Sequence, residues 1–218
     1  MSLVNEPGTP AFLRGGGAMG GLIRAHDWGA TSLGPPATWP QSLRLVVRLM
    51  LDTHHPMFIF WGPDSICLYN DGYSASLGPE LHPMMLGAPG ATAWADIWPV
   101  IGPQIHEVMA GRGATWHQDH LIPIHRHGRR EEVYWTYSYS PIGDETAAGG
   151  IGGVLVICTE TTARVLAEQR QAFVVALVDA LRDARDPAAV LATASTMLGE
   201  RLGADSVGFI DADLATDM

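Results

Sequence analysis

The sequence predicts an α+β domain in which a five-stranded antiparallel sheet carries short helices on one face. Strand-like segments lie at both ends of the domain, and proline and glycine cut the stretch between them into pieces that suit short helices. A long helical pattern follows the last strand with no intervening Gly or Pro. The predicted strands begin at Met57, Ser65, Thr115, Glu131 and Ile151.

The last two strands give the clearest signal. In residues 133–140, large apolar side chains occupy every second position, which is the period of a strand with two unlike faces. Residues 151–158 are apolar almost throughout, as expected of a strand covered on both faces. The turn-forming residues 141–150 lie between them, so the pattern predicts a hairpin.

The first strand, residues 57–61, is apolar at both alternating sets of positions and should also be covered on both sides. A helix is predicted just before it, starting after Trp39 and Pro40, and this helix could supply one cover. Its apolar face comprises Leu43, Val46, Val47, Met50 and Leu51. In the proline-rich stretch after the second strand, residues 103–110 are the clearest short helix.

Residues 164–185 form the predicted exit helix, whose apolar positions make a seam like that of a coiled coil. Packing of this helix on its own domain is the equally open alternative. The seam comprises Leu166, Phe173, Leu177, Ala180 and Ala184.

A further amphipathic helix is expected after Asp186 and Pro187, with Gly203 as its C-cap and a strand over residues 206–211. One helix and one strand cannot enclose a core, so the sequence is expected to end inside a second domain. The predicted division is a flexible leader (1–18), an N-terminal cap and helix (19–56), the sheet domain (57–162), a linker helix (163–186) and the truncated start of a second domain (187–218).

Composition excludes several classes of function. The formal net charge is −10 with only 13 Lys and Arg, which disfavours binding to nucleic acid or to an anionic membrane surface. The two cysteines, Cys67 and Cys158, form no CxxC motif and are expected to be buried free thiols in a reducing compartment. No apolar run reaches the roughly 20 residues of a membrane span. A cytoplasmic location is therefore predicted.

Several segments together resemble the PAS sensor domain of bacterial sensor (hybrid) histidine kinases. The tail from Ala188 to Asp213 is similar to the start of a GAF domain. The resemblance covers about residues 19–165 and is carried by MGGLIRAHDW (19–28), LGPP (33–36), WPQSL (39–43), MFIFWGPD (57–64), LYNDGY (68–73), TYSYSPI (136–142) and VICTETT (156–162).

The resemblance implies a five-stranded sheet whose helices enclose a small-molecule pocket, followed by a signalling helix. It also implies a kinase core downstream and a homodimer formed through the 163–186 helix. PAS–GAF inputs also feed cyclic-dinucleotide enzymes and phosphatases, so the output domain stays open. The stimulus and the ligand also remain unknown.

Aromatic and polar residues are predicted to meet where the strands and short helices surround an interior. Apolar walls with a few polar tips are typical of small-ligand pockets, and they are equally typical of a filled core. The candidate ligand-binding residues are Tyr69, Asn70, Tyr73, Trp98, Ile105, Trp135 and Tyr137.

Four histidines, His117, His120, His125 and His127, cluster near Asp119. Imidazole and carboxylate groups can bind zinc or a similar metal, so these are weak candidates for a metal site. The alternative is a set of solvated histidines in an exposed turn, which we prefer because three arginines share the segment.

Other cofactor chemistries receive little support. His106 lies on a predicted helix from which PAS domains that bind haem take their proximal ligand, but nothing else indicates haem. Cys67 lacks the sequence context of the reactive cysteine in flavin-binding LOV domains. Residues 15–20 satisfy GxGxxG, yet no strand precedes them, so a nucleotide site is disfavoured.

Three hypotheses follow. In the first, the chain is the sensory input of a signal-transduction protein, and ligand or partner binding displaces the exit helix. In the second, it is a ligand-free dimerisation or scaffold module. The third, a metal-dependent enzyme built on the histidine cluster, requires stoichiometric metal. The chain itself carries no recognisable catalytic motif.

Overall fold

The main sheet contains five antiparallel strands in the spatial order β2-β1-β7-β6-β3. The computed structural model describes residues 9–182 and 186–208. The predicted fold class, an α+β domain with a five-stranded antiparallel sheet, is confirmed. The strands of this sheet are β1 (Met57–Trp61), β2 (Ile66–Tyr69), β3 (Thr115–Leu121), β6 (Tyr134–Gly143) and β7 (Ile151–Glu160).

The two most apolar strands, β1 and β7, lie next to each other near the centre of the sheet. All five residues of β1 are buried, as the sequence predicts. Helix α2 (Gln41–Asp52) packs against β1 and β2 and supplies the cover on one face. Its Leu43, Val47 and Met50 are fully buried, and burial of aliphatic side chains of this size stabilises a fold by about 1.5–3 kcal/mol each.

The other face of the sheet is covered by the helices between β2 and β3. These are α3 (Asp71–Ser74), α4 (Gly90–Ala93) and α5 (Trp98–Met109), and α5 packs against β6 and β7. The prediction of short helices in this segment is confirmed. Helix α5 begins five residues earlier than expected, and Pro99 lies in its first turn. Proline is tolerated there because backbone N–H groups in the first turn have no acceptor within the helix.

Residues 122–131 differ from the sequence prediction, which continued the third strand to Ile124, placed an exposed turn after it and started the next strand at Glu131. They contain a separate two-stranded hairpin, β4 (Ile124–Arg126) and β5 (Arg129–Glu131). Its turn is His127-Gly128, and both residues have positive φ (55° and 72°). Such a two-residue turn matches the right-handed twist of the paired strands. The fourth strand of the main sheet therefore begins at Tyr134.

The glycine-rich segment at residues 15–21 contains the N-terminus of a helix. Helix α1 (Gly17–Ala25) includes the last two residues of the predicted flexible leader, 17 and 18. The first eight residues of that leader lie outside the described ranges. The Asp71 carboxylate accepts hydrogen bonds from the backbone N–H groups of Ala18 (3.0 Å) and Met19 (2.6 Å). A Cβ atom on Gly17 would lie 1.7 Å from Asp71 Oδ2, so the helix N-terminus is filled by a side chain of this protein.

We expect Asp71→Ala to lower the free energy of unfolding by about 1 kcal/mol, because helix α1 loses the carboxylate that accepts from two backbone N–H groups at its N-terminus. Chemical denaturation measured by circular dichroism checks this. The matched control is Glu145→Ala, which removes the same charge from an exposed position between β6 and β7. Equal unfolding midpoints for the two variants would contradict the capping role.

The chain divides after Thr162 into two compact units. The second contains most of α6 (Thr162–Arg182) and α7 (Pro187–Leu202). The predicted C-cap of α7 is confirmed, because Gly203 ends the helix with φ of 60°. At the other end, the Asp186 side chain accepts from Ala189 N. Residues 183–185 and most of the strand predicted over 206–211 lie outside the described ranges.

Within the second unit, the guanidinium of Arg201 lies over the Phe173 ring at 5.2 Å, so one face of α6 contacts α7. On another face, Val174, Val175 and Val178 are half exposed. In the predicted seam, Phe173 and Leu177 are partly covered, whereas Leu166 is 46% exposed. None of the helices in residues 9–182 and 186–208 combines the length and apolarity needed to cross a bilayer.

Candidate ligand cavity

A cavity of about 60 Å³ lies between the inner face of the sheet, the α4–α5 region and the β4–β5 hairpin. Its walls carry no charged side chain. Aromatic rings form about half of them: Phe58, Phe60, Tyr73, Trp94, Trp135, Tyr137 and Tyr139. The remainder comes from Ile97, Ile101, Ile122, Ile124, Val156 and Cys158.

Three of the predicted ligand-binding residues, Tyr73, Trp135 and Tyr137, line this cavity. The other four, Tyr69, Asn70, Trp98 and Ile105, do not belong to its lining, and a ligand role for them stays a prediction. Tyr69 is directed toward His82, with its hydroxyl 3.1 Å from Nδ1.

Asn70 holds the backbone around the start of β1. Its Nδ2 donates to the carbonyl oxygens of Met50 (3.1 Å), Thr53 (2.8 Å) and His55 (2.8 Å). Its Oδ1 accepts from the N–H groups of Met57 and Tyr73, both at 3.0 Å. Every hydrogen-bonding position of the side-chain amide is therefore used inside the protein.

Trp98 and Ile105 stabilise α5. The Trp98 ring packs edge-on against Phe60, with centroids 6.1 Å apart. A Cβ atom on Gly90 or Gly102 would come within 2.8 Å of the Trp98 ring, so both glycines permit its close approach. Ile105 is fully buried in the core.

Tyr139, Trp94, Ile122 and Ile124 also line the cavity and were not predicted from the sequence. Tyr139 could have been found, because it lies two residues after Tyr137 and therefore on the same strand face. Trp94 lies in an irregular connection, whose path no residue pattern specifies. Ile122 and Ile124 required recognition of the second hairpin.

A β-bulge brings His117 and His120 to the same face of β3. His117 pairs with Tyr137 and His120 pairs with Trp135. Between these two pairs β3 therefore has one more residue than β6, which is the definition of a β-bulge. Asp119, within the bulge, has φ of 51°. The two imidazole rings lie 5.4 Å apart, and partial burial followed by the neighbouring His120 lowers the pKa of His117.

His120 is linked to the cavity wall through a hydrogen-bond chain. Gln104 Nε2 donates to Val100 O (3.1 Å), so its Oε1 accepts the proton of the Tyr137 hydroxyl (3.1 Å). His120 Nδ1 lies 2.9 Å from the same hydroxyl, whose single proton is already donated. His120 Nδ1 is therefore the donor in that bond.

The other two candidate metal ligands point elsewhere. His125 pairs with Asp96 at 2.9 Å on the surface, and His127 lies in the hairpin turn. Across the residues described, no three His, Cys, Asp or Glu side chains come close enough together to hold a metal ion. His106 is exposed on α5, and neither it nor Cys67 lines the cavity.

The groups inside the cavity wall are neutral. Burial raises the pKa of the Cys158 thiol to about 12, and burial raises the pKa values of Tyr73 and Tyr139 well above their ordinary value. Both phenols therefore carry their protons at neutral pH and can act as hydrogen-bond donors.

The β4–β5 hairpin is fastened to the end of β7 by a charge cluster. Arg126 forms a bidentate ion pair with Glu160 (2.9 and 3.1 Å) and a second ion pair with Glu131 (2.8 Å). Hydrogen bonds from Arg126 and then Arg129 lower the pKa of Glu131 to about 2. The Glu80 carboxylate also accepts from two backbone N–H groups of the hairpin turn.

The connection between β7 and α6 is a single residue, Thr161, and it is held by the sheet. Its N–H donates to Tyr134 O (2.8 Å) and its hydroxyl to Asp119 Oδ1 (2.8 Å). The Thr162 hydroxyl accepts from Tyr134 N (3.0 Å). The strand end and the first residue of the helix are thus bonded to β3 and β6.

No protein-family model and no curated protein matched the chain. Solved structures of similar fold include a sensory box sensor histidine kinase from Vibrio cholerae (17% identity, TM-score 0.38, covering 54% of this chain and 91% of that chain). A PAS domain from Colwellia psychrerythraea is similar over 56% of this chain and 98% of its own (13% identity, TM-score 0.41).

An RNA-binding Light-Oxygen-Voltage receptor is similar over 71% of this chain and 43% of its own, with 19% identity and a TM-score of 0.45. At identities of 13–19% and TM-scores of 0.38–0.45, these similarities assign neither a ligand nor a partner to this chain.

Proposed function

We propose that this chain is the sensory input module of a signal-transduction protein, in which a small molecule in the cavity alters the end of β7 and the helix that follows. The observation that carries the proposal is the Arg126 cluster. It links a hairpin that forms part of the cavity wall to Glu160, two residues before α6 begins.

The coupling is mechanical and short. Ile122 and Ile124 line the cavity, and Arg126 lies two residues after Ile124 on strand β4. A ligand that pushes the isoleucines outward moves the Arg126 backbone, and the bidentate pair transmits that displacement to Glu160. Because the guanidinium is planar and bonded through two nitrogens, the pair constrains direction as well as distance.

We further propose that the parent protein is a histidine kinase, with a GAF-like domain beginning near residue 187 and a homodimer formed through the 163–186 helix. The sequence resemblance supports these assignments, and the half-exposed Val174, Val175 and Val178 provide an apolar surface for helix pairing. On this view, the exit helix carries the signal to the kinase core.

Hydrogen–deuterium exchange on the purified chain tests the coupling. We expect Arg126→Gln to accelerate exchange of the amides at residues 160–162 by about tenfold, because the tether between hairpin and strand end is lost. Arg129→Gln is the control, since the Arg129 side chain pairs with Glu131, is exposed, and among the described residues forms no ion pair with Glu160. Unchanged exchange in the Arg126 variant would refute the proposed route. In the full-length protein, inserting a few residues after Thr162 should change kinase output.

A second candidate function is a ligand-free dimerisation or scaffold module. The observation that favours it is the cavity volume of about 60 Å³, which is below the roughly 300–1,000 Å³ of typical ligand pockets. Native mass spectrometry distinguishes the two: a co-purified small molecule favours sensing, and a dimer without bound mass favours scaffolding.

A further inference from the structure

Three hydrogen-bond donors in the cavity wall have no partner. Among the described residues, none bonds the hydroxyl of Tyr73 or of Tyr139, and the indole N–H of Trp94 is buried without an acceptor. These three side chains are 4–9% exposed. Buried donors are normally bonded to protein or water, and an unpaired one costs about 1–3 kcal/mol. One buried donor without an acceptor, Trp94 Nε1, and two hydroxyls without a partner among the described residues all belong to side chains that line one cavity, and this indicates a missing hydrogen-bond acceptor.

From these donors, and resting on the proposed sensory function, we propose that the cavity binds a neutral, planar aromatic molecule that carries a carbonyl-type acceptor. Tyr73 and Tyr139 donate to the carbonyl oxygen, and Trp94 supplies the third donor. Tyr137 plays no such part, because its hydroxyl proton is already donated to Gln104.

The rest of the lining defines the body of this ligand. Seven aromatic side chains favour stacked or edge-on contacts with another ring. No charged side chain lines the cavity, so a carboxylate or an ammonium group would be buried without a counter-charge at high cost. The site therefore selects against ionised ligands.

The volume determines how such a ligand enters. A cavity of about 150 Å³ holds benzene, so the present space of about 60 Å³ must expand to accept one ring. Ile124 on β4, together with Ile122 just before it, forms the wall on the side of the separate β4–β5 hairpin, which is not part of the main sheet. Ring binding therefore displaces the hairpin that carries Arg126.

Calorimetric titration of the purified chain with three molecules of nearly equal shape tests the ligand class. Acetophenone has the acceptor, α-methylstyrene replaces the oxygen by a CH₂ group, and benzoate carries a charge. We expect acetophenone to bind about fivefold tighter than α-methylstyrene, and benzoate not to bind. Tighter binding of α-methylstyrene, binding of benzoate, or no binding by either neutral compound would overturn the proposal.

Single substitutions test whether the tyrosine hydroxyls donate to the bound ligand. Tyr73→Phe and Tyr139→Phe keep the aromatic rings but remove the hydroxyls. Each should lower the affinity for acetophenone about fivefold and leave the affinity for α-methylstyrene unchanged. Tyr134→Phe is the control, because Tyr134 lies on β6 outside the cavity lining. Equal losses for all three variants would refute the donor assignment.

Hydrogen–deuterium exchange of the amides at residues 160–162, measured with acetophenone bound, distinguishes the proposed coupling through Arg126 from the proposed ligand class. If acetophenone binds as expected but exchange is unchanged, the ligand class stands and the coupling fails. If Arg126→Gln alters exchange but acetophenone does not bind, the coupling stands and the ligand class is wrong.

Discussion

Asn70→Asp is expected to lower the free energy of unfolding by about 4 kcal/mol, the largest effect of any single substitution considered in this protein. The new side chain has nearly the same shape, but an oxygen replaces the Nδ2 that donates to three carbonyl oxygens. A carboxylate 2.8–3.1 Å from those carbonyl oxygens is repelled by them, and the side chain is only 2% exposed, so water cannot compensate.

The loss should shrink as the pH falls toward about 4, the ordinary pKa of aspartate, because the buried carboxyl takes up its proton more readily than the unfolded one and a protonated aspartate is neutral and regains one donor. Urea unfolding at several pH values measures both effects. Gln118→Glu is the matched control: it makes the same amide-to-carboxylate change at an exposed position on β3 and should cost less than about 0.5 kcal/mol. Similar losses in the two variants would show that added charge alone, and not the lost hydrogen bonds, is responsible.

Arg126→Gln should lower the free energy of unfolding by about 2 kcal/mol, between the values typical of exposed and of buried ion pairs. The Arg126 side chain is 13% exposed and bonds two carboxylates together with Ser76 O. Removing it leaves Glu131 and Glu160 without their shared cation, and like charges then face each other at the hairpin base.

The same variant has a defined pH dependence. In the folded protein the pKa of Glu131 is lowered from its ordinary value of 4.5 to about 2. A depressed carboxyl pKa contributes stability above the unfolded value and loses it as the pH falls through the folded one. The difference in stability between wild type and Arg126→Gln should therefore be full at pH 7 and diminish between about pH 4.5 and pH 2. A difference that stays constant over this interval would contradict the ion-pair interpretation.

Arg129→Gln provides the control, because the Arg129 side chain is 75% exposed and Glu131 is its ion-pair partner within the part of the chain that the structure describes. Its effect should be below about 1 kcal/mol, as for other exposed pairs. Thermal and urea unfolding of the three proteins, run in parallel, give the comparison.

Periodicity along the chain was sufficient for the elements that bury one regular face. The alternation in residues 133–140 and the apolar run of β7 predicted their strands, and the helical spacing from Leu43 to Leu51 predicted α2. These patterns work because burial of one face fixes both the period and the register of an element.

The cavity lining was predictable only in part. Trp135 and Tyr137 were found because they lie on β6, whose alternating pattern is clear, and Tyr73 was found because it closely follows the predicted second strand. Ile122 and Ile124 were missed because a two-residue turn, His127-Gly128, folds a polar segment back over the cavity. Asn70 was assigned to a pocket although tertiary contacts use all of its hydrogen-bonding positions.

The residue order by itself determined the α+β class, the neutral apolar interior and the positions of most strands and helices, since these follow from local spacing and side-chain chemistry. Only the tertiary structure decided that Arg126 meets Glu160, 34 residues away, and that the Trp94 indole N–H is buried without an acceptor among the described residues, beside the Tyr73 and Tyr139 side chains that line the same cavity. Such pairings depend on how separate elements pack in three dimensions, and spacing along the chain does not encode them.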